Sequence, residues 1–552
     1  MKKNLIAVLL IIALGIVCYA NSLPNDFVWD DGQLIKDNLF IRSLNHLPQI
    51  FTTDLHHFSF EGSNFYRPIQ TISYLLDYQL WKLRPFGYHL TNLILHLISA
   101  ILLYFLIKKI FSQGKLALIT ALLFVASPLN TQAVSYISGR ADSLAALFII
   151  AAFLLYLYQR RGWSLLCFIF AGLSKETALV FPLLLIIYEL IFDKKLKNTI
   201  PYCLISIGFI ILRLSVLKFD LRTGSLITES LGVRAITLSR ALVSYLRLLV
   251  WPVNLHMQYQ VPFIRSIFNV PAALSIILLI SLIAAIFISY KKSKIVFFGL
   301  TWFFITLLPV SNILIPVNAV LAEHWLYMPA IGIFLIFSHS LLNLSKRSKP
   351  LLVTCSLFLV TILCFYSWFT IARNKDWSDR ITLYQATIKF APGSAQAHYN
   401  LANAYSDLGR NQEAIAEYQR TIEIEPRYAA AHNNLASAYL AIGDYRNAIL
   451  EYIAALRITP DLKEAYNNLG YAYNNLGMNN EAIVVLNKAI SIEPSFAVAY
   501  NNLGNAYLGK KDVDQAVNYW QKSLELSPGY RAAKVNLENA QSYREKLKPD
   551  SN

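Results

Sequence analysis

Two adjacent carboxylates, Asp30 and Asp31, stand in the stretch FVWDDGQLIKDN from Phe27 to Asn38, just after the first apolar run. A carboxylate placed there can take a proton from a hydroxyl, as general base toward a lipid-linked substrate at a membrane surface. The same residue type also starts helices, so either aspartate is equally suited to cap a helix through Gln33–Asn38. Further charges punctuate apolar segments: Arg67 in Tyr66-Arg67-Pro68, Arg140 and Asp142 in SGRAD, Lys175 and Glu176 in SKET, and Glu323 with His324 before Trp325. Ionisable groups at or within a membrane are costly to hold and are often functional. Basic and acidic groups gathered on one side suit a phosphate pocket beside a base; singly, each is also an interfacial anchor or one half of an internal ion pair. His89 and His96 share one helix face without a third ligand, which favours buried hydrogen bonding over metal binding.

The elements that must position these groups are apolar. Hydrophobic residues make up 56% of the 552-residue chain and charged residues only 15%, and the mean hydropathy is +0.44. A wholly soluble, disordered or collagenous chain is excluded. From Trp377 onward there are 17 Lys+Arg and 18 Asp+Glu, so the excess of positive charge lies entirely in residues 1–376. It clusters between apolar runs, as in cytoplasmic loops facing anionic headgroups, and not as a nucleic-acid-binding patch. Apolar runs at 3–20, 87–107, 116–133, 141–158, 163–174, 177–192, 200–218, 270–289, 294–312, 325–343 and 350–371 predict about eleven spans, of which 163–174 is short enough to be half of a broken helix. With that count every Lys/Arg cluster falls on the side of the N-terminus. The positive-inside rule makes that side cytoplasmic and the C-terminal half extracytoplasmic, periplasmic in a bacterium. The N-terminus also resembles a signal peptide, but a retained first helix would hold the polar loop 21–86 at the membrane. Val233–Trp251 carries Arg234, Arg240 and Arg247 on one face and reads as an interfacial helix. The five cysteines lie in apolar segments without CxxC spacing, so neither a zinc site nor a redox motif is indicated.

The C-terminal half repeats every 34 residues. Pro392, Pro426, Pro460, Pro494 and Pro528 keep the period, as do Leu401, Leu435, Leu469 and Leu503, the small residues Ala402, Ala436, Gly470 and Gly504, and the alanines Ala414, Ala448, Ala482 and Ala516. This is the tetratricopeptide (TPR) pattern of paired antiparallel helices. Four repeats (395–428, 429–462, 463–496, 497–530) follow a connecting half-repeat helix within 377–394 and precede a capping helix and tail at 531–552. Asn400, Asn434, Asn468 and Asn502 recur on the first helix of each pair. Such a ladder either binds the backbone of an extended peptide or is a solvent-facing consensus feature. The fold class is thus all-α: a polytopic membrane helical bundle followed by a soluble α-solenoid.

Together these stretches resemble a known family. FVWDDGQLIKDN, the run YRPIQTISYLLDYQLWKLRPFGYHLTNLILH from Tyr66 to His96, SPLNTQAVSYISGRADSLAALF from Ser127 to Phe148, SKET, AEHWLYMPAIG from Ala322 to Gly332 and the repeats resemble the transmembrane-and-TPR O-mannosyltransferases (TMTC), of the GT-C class of glycosyltransferases. His324 stands where the family commonly has Arg, and Ser127-Pro128 where His-Pro is usual. The resemblance implies a membrane enzyme, residues 1–376, that moves mannose or another hexose from a polyprenyl-phosphate donor to Ser/Thr hydroxyls of extracytoplasmic proteins. Asp30 or Asp31 would be the base. Arg67, Arg140, Lys175, Arg240 and Arg247 would be candidates for the donor phosphate, with Asp142, Glu176, Glu323 and His324 in support. The repeats would hold the acceptor or a partner protein. No cofactor is certain; a divalent metal is possible but not favoured, because two adjacent aspartates offer few ligands. The alternatives are a GT-C enzyme acting on a lipid or envelope glycan, and a non-enzymatic membrane-anchored scaffold.

Overall fold

A computed structural model describes residues 2–56, 65–216, 229–259, 261–317 and 319–546. Parts of the outer loop, the end of the 200–218 run, the segment 219–228 and the tail after 546 lie outside the described residues. All regular structure among the described residues is helical. The chain forms two compact units, Met1–Ala386 and Thr387–Asn552.

In the first unit, six helices are long and apolar enough to cross a membrane: Lys2–Ser22, Pro85–Phe111, Ile137–Leu157, Leu196–Ser215, Val270–Lys292 and Lys349–Asp376. Gly114–Ala126 and Pro128–Val134 make a seventh if counted as one span bent by 55°. The apolar runs around 163–174, 294–312 and 325–343 fold as the shorter helices Arg161–Ser174, Lys294–Val310 and Pro329–Ser345. The 177–192 run yields Phe181–Tyr188, continued by a π-helical turn to Asp193. Eleven apolar runs therefore correspond to fewer full-length helices, because run length counts apolar residues and not breaks in the helix. At Ser127-Pro128 proline lacks the N–H that would continue the ladder, and the helix turns.

Burial separates inner from outer helices. Two thirds of the apolar window of Ile137–Leu157 is buried (67%), against 11% for Leu196–Ser215 and 17% for Val270–Lys292. The outer helices expose Leu204, Ile207, Leu274, Ile277 and Ile280, side chains suited to lipid. Close approach is needed where Lys294–Leu307 crosses Pro329–Ser345: a Cβ on Gly332 would lie 2.2 Å from the Gly299 carbonyl oxygen. A separate apolar cluster of Phe27, Leu34, Ile35, Ile41, Tyr74, Leu75, Tyr88 and Ile137 packs the polar loop onto Pro68–Trp81 and Pro85–Phe111. That cluster fixes the position of the aspartate pair.

In the second unit each repeat is a helix pair, beginning with Ala395–Asp407 and Asn411–Ile424 and ending with Ala497–Gly509 and Val513–Leu526, closed by Arg531–Lys546. Ala414, Ala448, Ala482 and Ala516 are fully buried. Small side chains at these points let the paired helices touch, which is why they keep the 34-residue period.

Candidate active site

The two aspartates have different environments. Asp31 is completely buried; its Oδ2 accepts from the Val28 N–H (3.0 Å), and its Oδ1 accepts from the Ser138 N–H (2.9 Å) and from the Ser138 hydroxyl. It clasps the loop to the turn at 137–139 and does not act as a side-chain helix cap. Burial outweighs these hydrogen bonds and pushes its carboxyl up to about 7. Asp30 is half-buried, and its Oδ2 accepts from the Tyr136 hydroxyl at 3.0 Å. Burial raises its pKa above the ordinary carboxylate range, opposed by His56, the Tyr136 hydrogen bond and Arg67. The neighbouring helical segment, Gly32–Lys36, is a π-helix, a form frequent beside functional sites.

Arg67 links Asp30 to the next charges. It forms a forked pair with Glu176, Nε–Oε2 3.1 Å and Nη2–Oε1 2.7 Å. Burial works against ionisation of Glu176, but Arg67, with help from Lys175, outweighs it and holds the carboxyl down at about 2. Lys175 Nζ contacts Asp142 Oδ1 at 2.7 Å. His324 is kept neutral: burial, Lys175 and Arg67 hold its imidazole near 4 against the pull of Asp142. Six expected residues, Asp30, Arg67, Asp142, Lys175, Glu176 and His324, are thus linked in one polar region, Asp30 through Arg67.

Others are not part of it. Arg140 is fully buried and donates to Asn92 Oδ1 (2.6 Å), Ser73 Oγ (3.1 Å) and the Tyr88 carbonyl (2.9 Å), with Asp77 at 2.6 Å. The guanidinium is enclosed and engaged, and it ties three helices together. Arg240 and Arg247 lie exposed on Leu231–Val250, whose other face buries Ala241, Leu242, Tyr245 and Leu248. Glu323 is buried with Tyr259 (2.8 Å to Oε1) and faces Arg373 at 3.6 Å. Among the described residues no three His, Cys, Asp or Glu side chains gather where a metal ion could be held.

Several contributors were not singled out in the sequence. Tyr136 stacks with Trp29 (ring centroids 5.5 Å, 20° between planes) and with Trp377 (5.2 Å, 18°). His56 bears on Asp30, and Arg373 sits 5.4 Å from the Trp377 ring. Arg373 is, with Lys375, a cation in the last turn of a largely apolar helix, a signal the sequence carries. The asparagine ladder makes hydrogen bonds within the array. Asn434 donates to Tyr399 Oη (3.0 Å) and Asn403 Oδ1 (3.1 Å), and buried Asn502 donates to Asn467 Oδ1 (2.9 Å). Asn400 accepts from Gln396, and Asn468 from Asn467. Asn434 and Asn502 rivet neighbouring repeats because the equivalent helix one period away is within hydrogen-bond reach.

Apolar helices bearing this polar region, joined to a repeat array, define a class: an apolar helical bundle followed by tetratricopeptides. Residues 76–217 match the family model described as dolichyl-phosphate-mannose-protein mannosyltransferase. Tetratricopeptide models match 383–416, 402–443, 437–477, 472–511 and 497–530. More particularly, a protein O-mannosyl-transferase of Caenorhabditis elegans is 29% identical over 425 residues, 74% of this chain and 61% of that protein. The human protein O-mannosyl-transferase TMTC1 is 29% identical over 472 residues, 72% of this chain and 53% of that protein. The chain therefore spans between half and two thirds of the length of these curated relatives. Among solved structures, one of MamA protein is 28% identical, covering 31% of this chain and 85% of that one with a TM-score of 0.26. The pairing of this domain with tetratricopeptides is similar to that of these O-mannosyl-transferases, and the apolar helices with the domain mark an integral membrane protein.

Proposed function

We propose that the chain is a membrane glycosyltransferase that moves mannose from a polyprenyl-phosphate donor to Ser/Thr hydroxyls of proteins outside the cytoplasm. The observation that carries this is Asp30: a half-buried carboxylate hydrogen-bonded by Tyr136, beside the Arg67–Glu176 and Lys175–Asp142 pairs. The acceptor oxygen attacks the anomeric carbon as its proton passes to Asp30. The bond from that carbon to the phosphate oxygen breaks, and polyprenyl phosphate leaves with inversion at carbon. Arg67 and Lys175, each held in place by a carboxylate, stabilise the charge on the departing phosphate. Arg240 and Arg247, exposed on the amphipathic helix, suit the headgroup layer through which the donor enters. Asp31 keeps the loop in place.

The relatives are protein O-mannosyl-transferases by name, which supports a protein acceptor, and tetratricopeptides commonly bind polypeptides. In this reading the repeats hold the acceptor or a partner on the extracytoplasmic side, a placement that the clustering of Lys and Arg supports. The test is mass spectrometry of extracytoplasmic proteins from cells making the wild type or Asp30→Asn at equal levels. Hexose increments on Ser/Thr should be present with the wild type and disappear in the variant. Unchanged protein glycosylation, with a change confined to lipid-linked or envelope glycans, would move the acceptor to those glycans.

A further inference from the structure

The stack Trp29–Tyr136–Trp377 lies against Asp30, and neither the comparisons nor the mechanism above gives it a task. Two indole rings stack on Tyr136 at 5.5 and 5.2 Å with near-parallel planes, and the residue is almost wholly buried. A buried phenol stacked against two indoles has little freedom to turn, so its hydroxyl points in one direction. That direction is toward Asp30 Oδ2, 3.0 Å away. The platform is costly to build. Trp29 holds φ at +50°, a left-handed conformation unfavourable for a bulky aromatic, and such conformations persist only where the surroundings enforce them. Trp377 follows the long helix Lys349–Asp376 and is fully buried. The preceding turn is stitched down by Asn374, which accepts from Ser135 Oγ (2.6 Å) and donates to the Cys18 carbonyl (2.8 Å) and Asn21 Oδ1 (2.7 Å). The strained residue before Asp30, the residue after Ser135 and the end of a distant helix converge on one hydroxyl.

Resting on the assignment of Asp30 as the base, we propose that Tyr136 is its positioning residue: the clamped hydroxyl holds Oδ2, leaving Oδ1 to receive the acceptor proton. The hydrogen bond also favours the ionised carboxylate over the acid. The other titratable groups bearing on Asp30 are Arg67, His56, Asp31 and Tyr384. All of them remain when the Tyr136 hydroxyl is removed, so the change in Asp30 can be attributed to that hydroxyl.

The experiment uses the full chain in lipid nanodiscs, with a polyprenyl-phosphate mannose donor and a Ser/Thr peptide. Rates are measured across pH for the wild type, Asp30→Asn, Tyr136→Phe, Trp377→Ala and Trp377→Phe. Tyr136→Phe should lose about tenfold in kcat with the donor KM unchanged. Its acid limb should move to higher pH, because a base that has lost a donor is protonated more readily. Trp377→Ala should behave in the same way, and Trp377→Phe should recover most of the loss by restoring a ring to the stack. A merely structural role would lower the amount of folded protein without moving the acid limb. If Asp30→Asn is inactive while Tyr136→Phe keeps the wild-type kcat and acid limb, the positioning role is overturned and the base stands. If Asp30→Asn is fully active, the base assignment fails and this inference fails with it. Should Tyr136→Phe not fold, the two Trp377 variants decide, and wild-type kcat and acid limb in Trp377→Ala overturn the proposal.

Discussion

Asp31 is a buried carboxyl whose ionisation works against the fold. Its pKa is raised from the ordinary carboxylate value to about 7, so it contributes most to stability when protonated. That contribution is complete below the unfolded pKa of about 4 and disappears as pH rises through the folded value. Between these limits the slope is up to about 1.4 kcal/mol per pH unit. The thermal midpoint of the wild type should therefore fall relative to that of Asp31→Asn as pH is raised from 4 to 7. A parallel pH response of the two proteins would mean that Asp31 is ionised throughout. At this scale the charged residues were legible because charges stand out in apolar sequence, and Arg67, Lys175, Glu176, Asp142 and His324 do come together. Their partners were not legible. Arg140 looks available until Asp77 is found beside it, and Tyr136 is an ordinary tyrosine until two tryptophans remote in sequence stack on it.

Helix contacts carry two further expectations. Gly332→Ala places a methyl 2.2 Å from the Gly299 carbonyl oxygen, so Lys294–Leu307 and Pro329–Ser345 must separate. A loss of about 1–3 kcal/mol is expected, read as a lower thermal midpoint; an unchanged midpoint would mean that the crossing is looser than drawn. In the second repeat, His432 Nδ1 meets Glu451 Oε2 at 2.6 Å, and its imidazole pKa is raised chiefly by that hydrogen bond. A raised histidine stabilises the fold below its unfolded pKa of about 6.5, and the effect fades as pH rises through the folded value. Glu451→Gln should lower the unfolding midpoint of the repeats at pH 6 by a small amount, roughly 1 kcal/mol or less, and have less effect at pH 8. An equal effect at both pH values would show that the pair is not ionic. The repeats were readable because periodicity reports helix pairs directly. The contacts between asparagines of neighbouring repeats were not readable, because a period does not reveal that equivalent side chains reach one another.

Over the whole molecule, the sequence pattern separated an apolar half from a periodic half, and the structure has two compact units. It counted apolar runs well but not helix breaks, which depend on local residues such as Pro128 and on which helices bury which faces. The distribution of burial identifies the inner helices, and these, with the turns that join them, carry Tyr136, Asp142 and Lys175 beside the loop that supplies Asp30. If these groups form one transfer site, then a single carboxylate governs the chemistry of the molecule. The direct measurement is mannose transfer from a polyprenyl-phosphate donor to a Ser/Thr peptide by the purified full chain, wild type against Asp30→Asn, at matched folding. The expected result is clear transfer by the wild type and a loss of about a hundredfold or more in the variant. Transfer at the wild-type rate by Asp30→Asn would contradict the assignment.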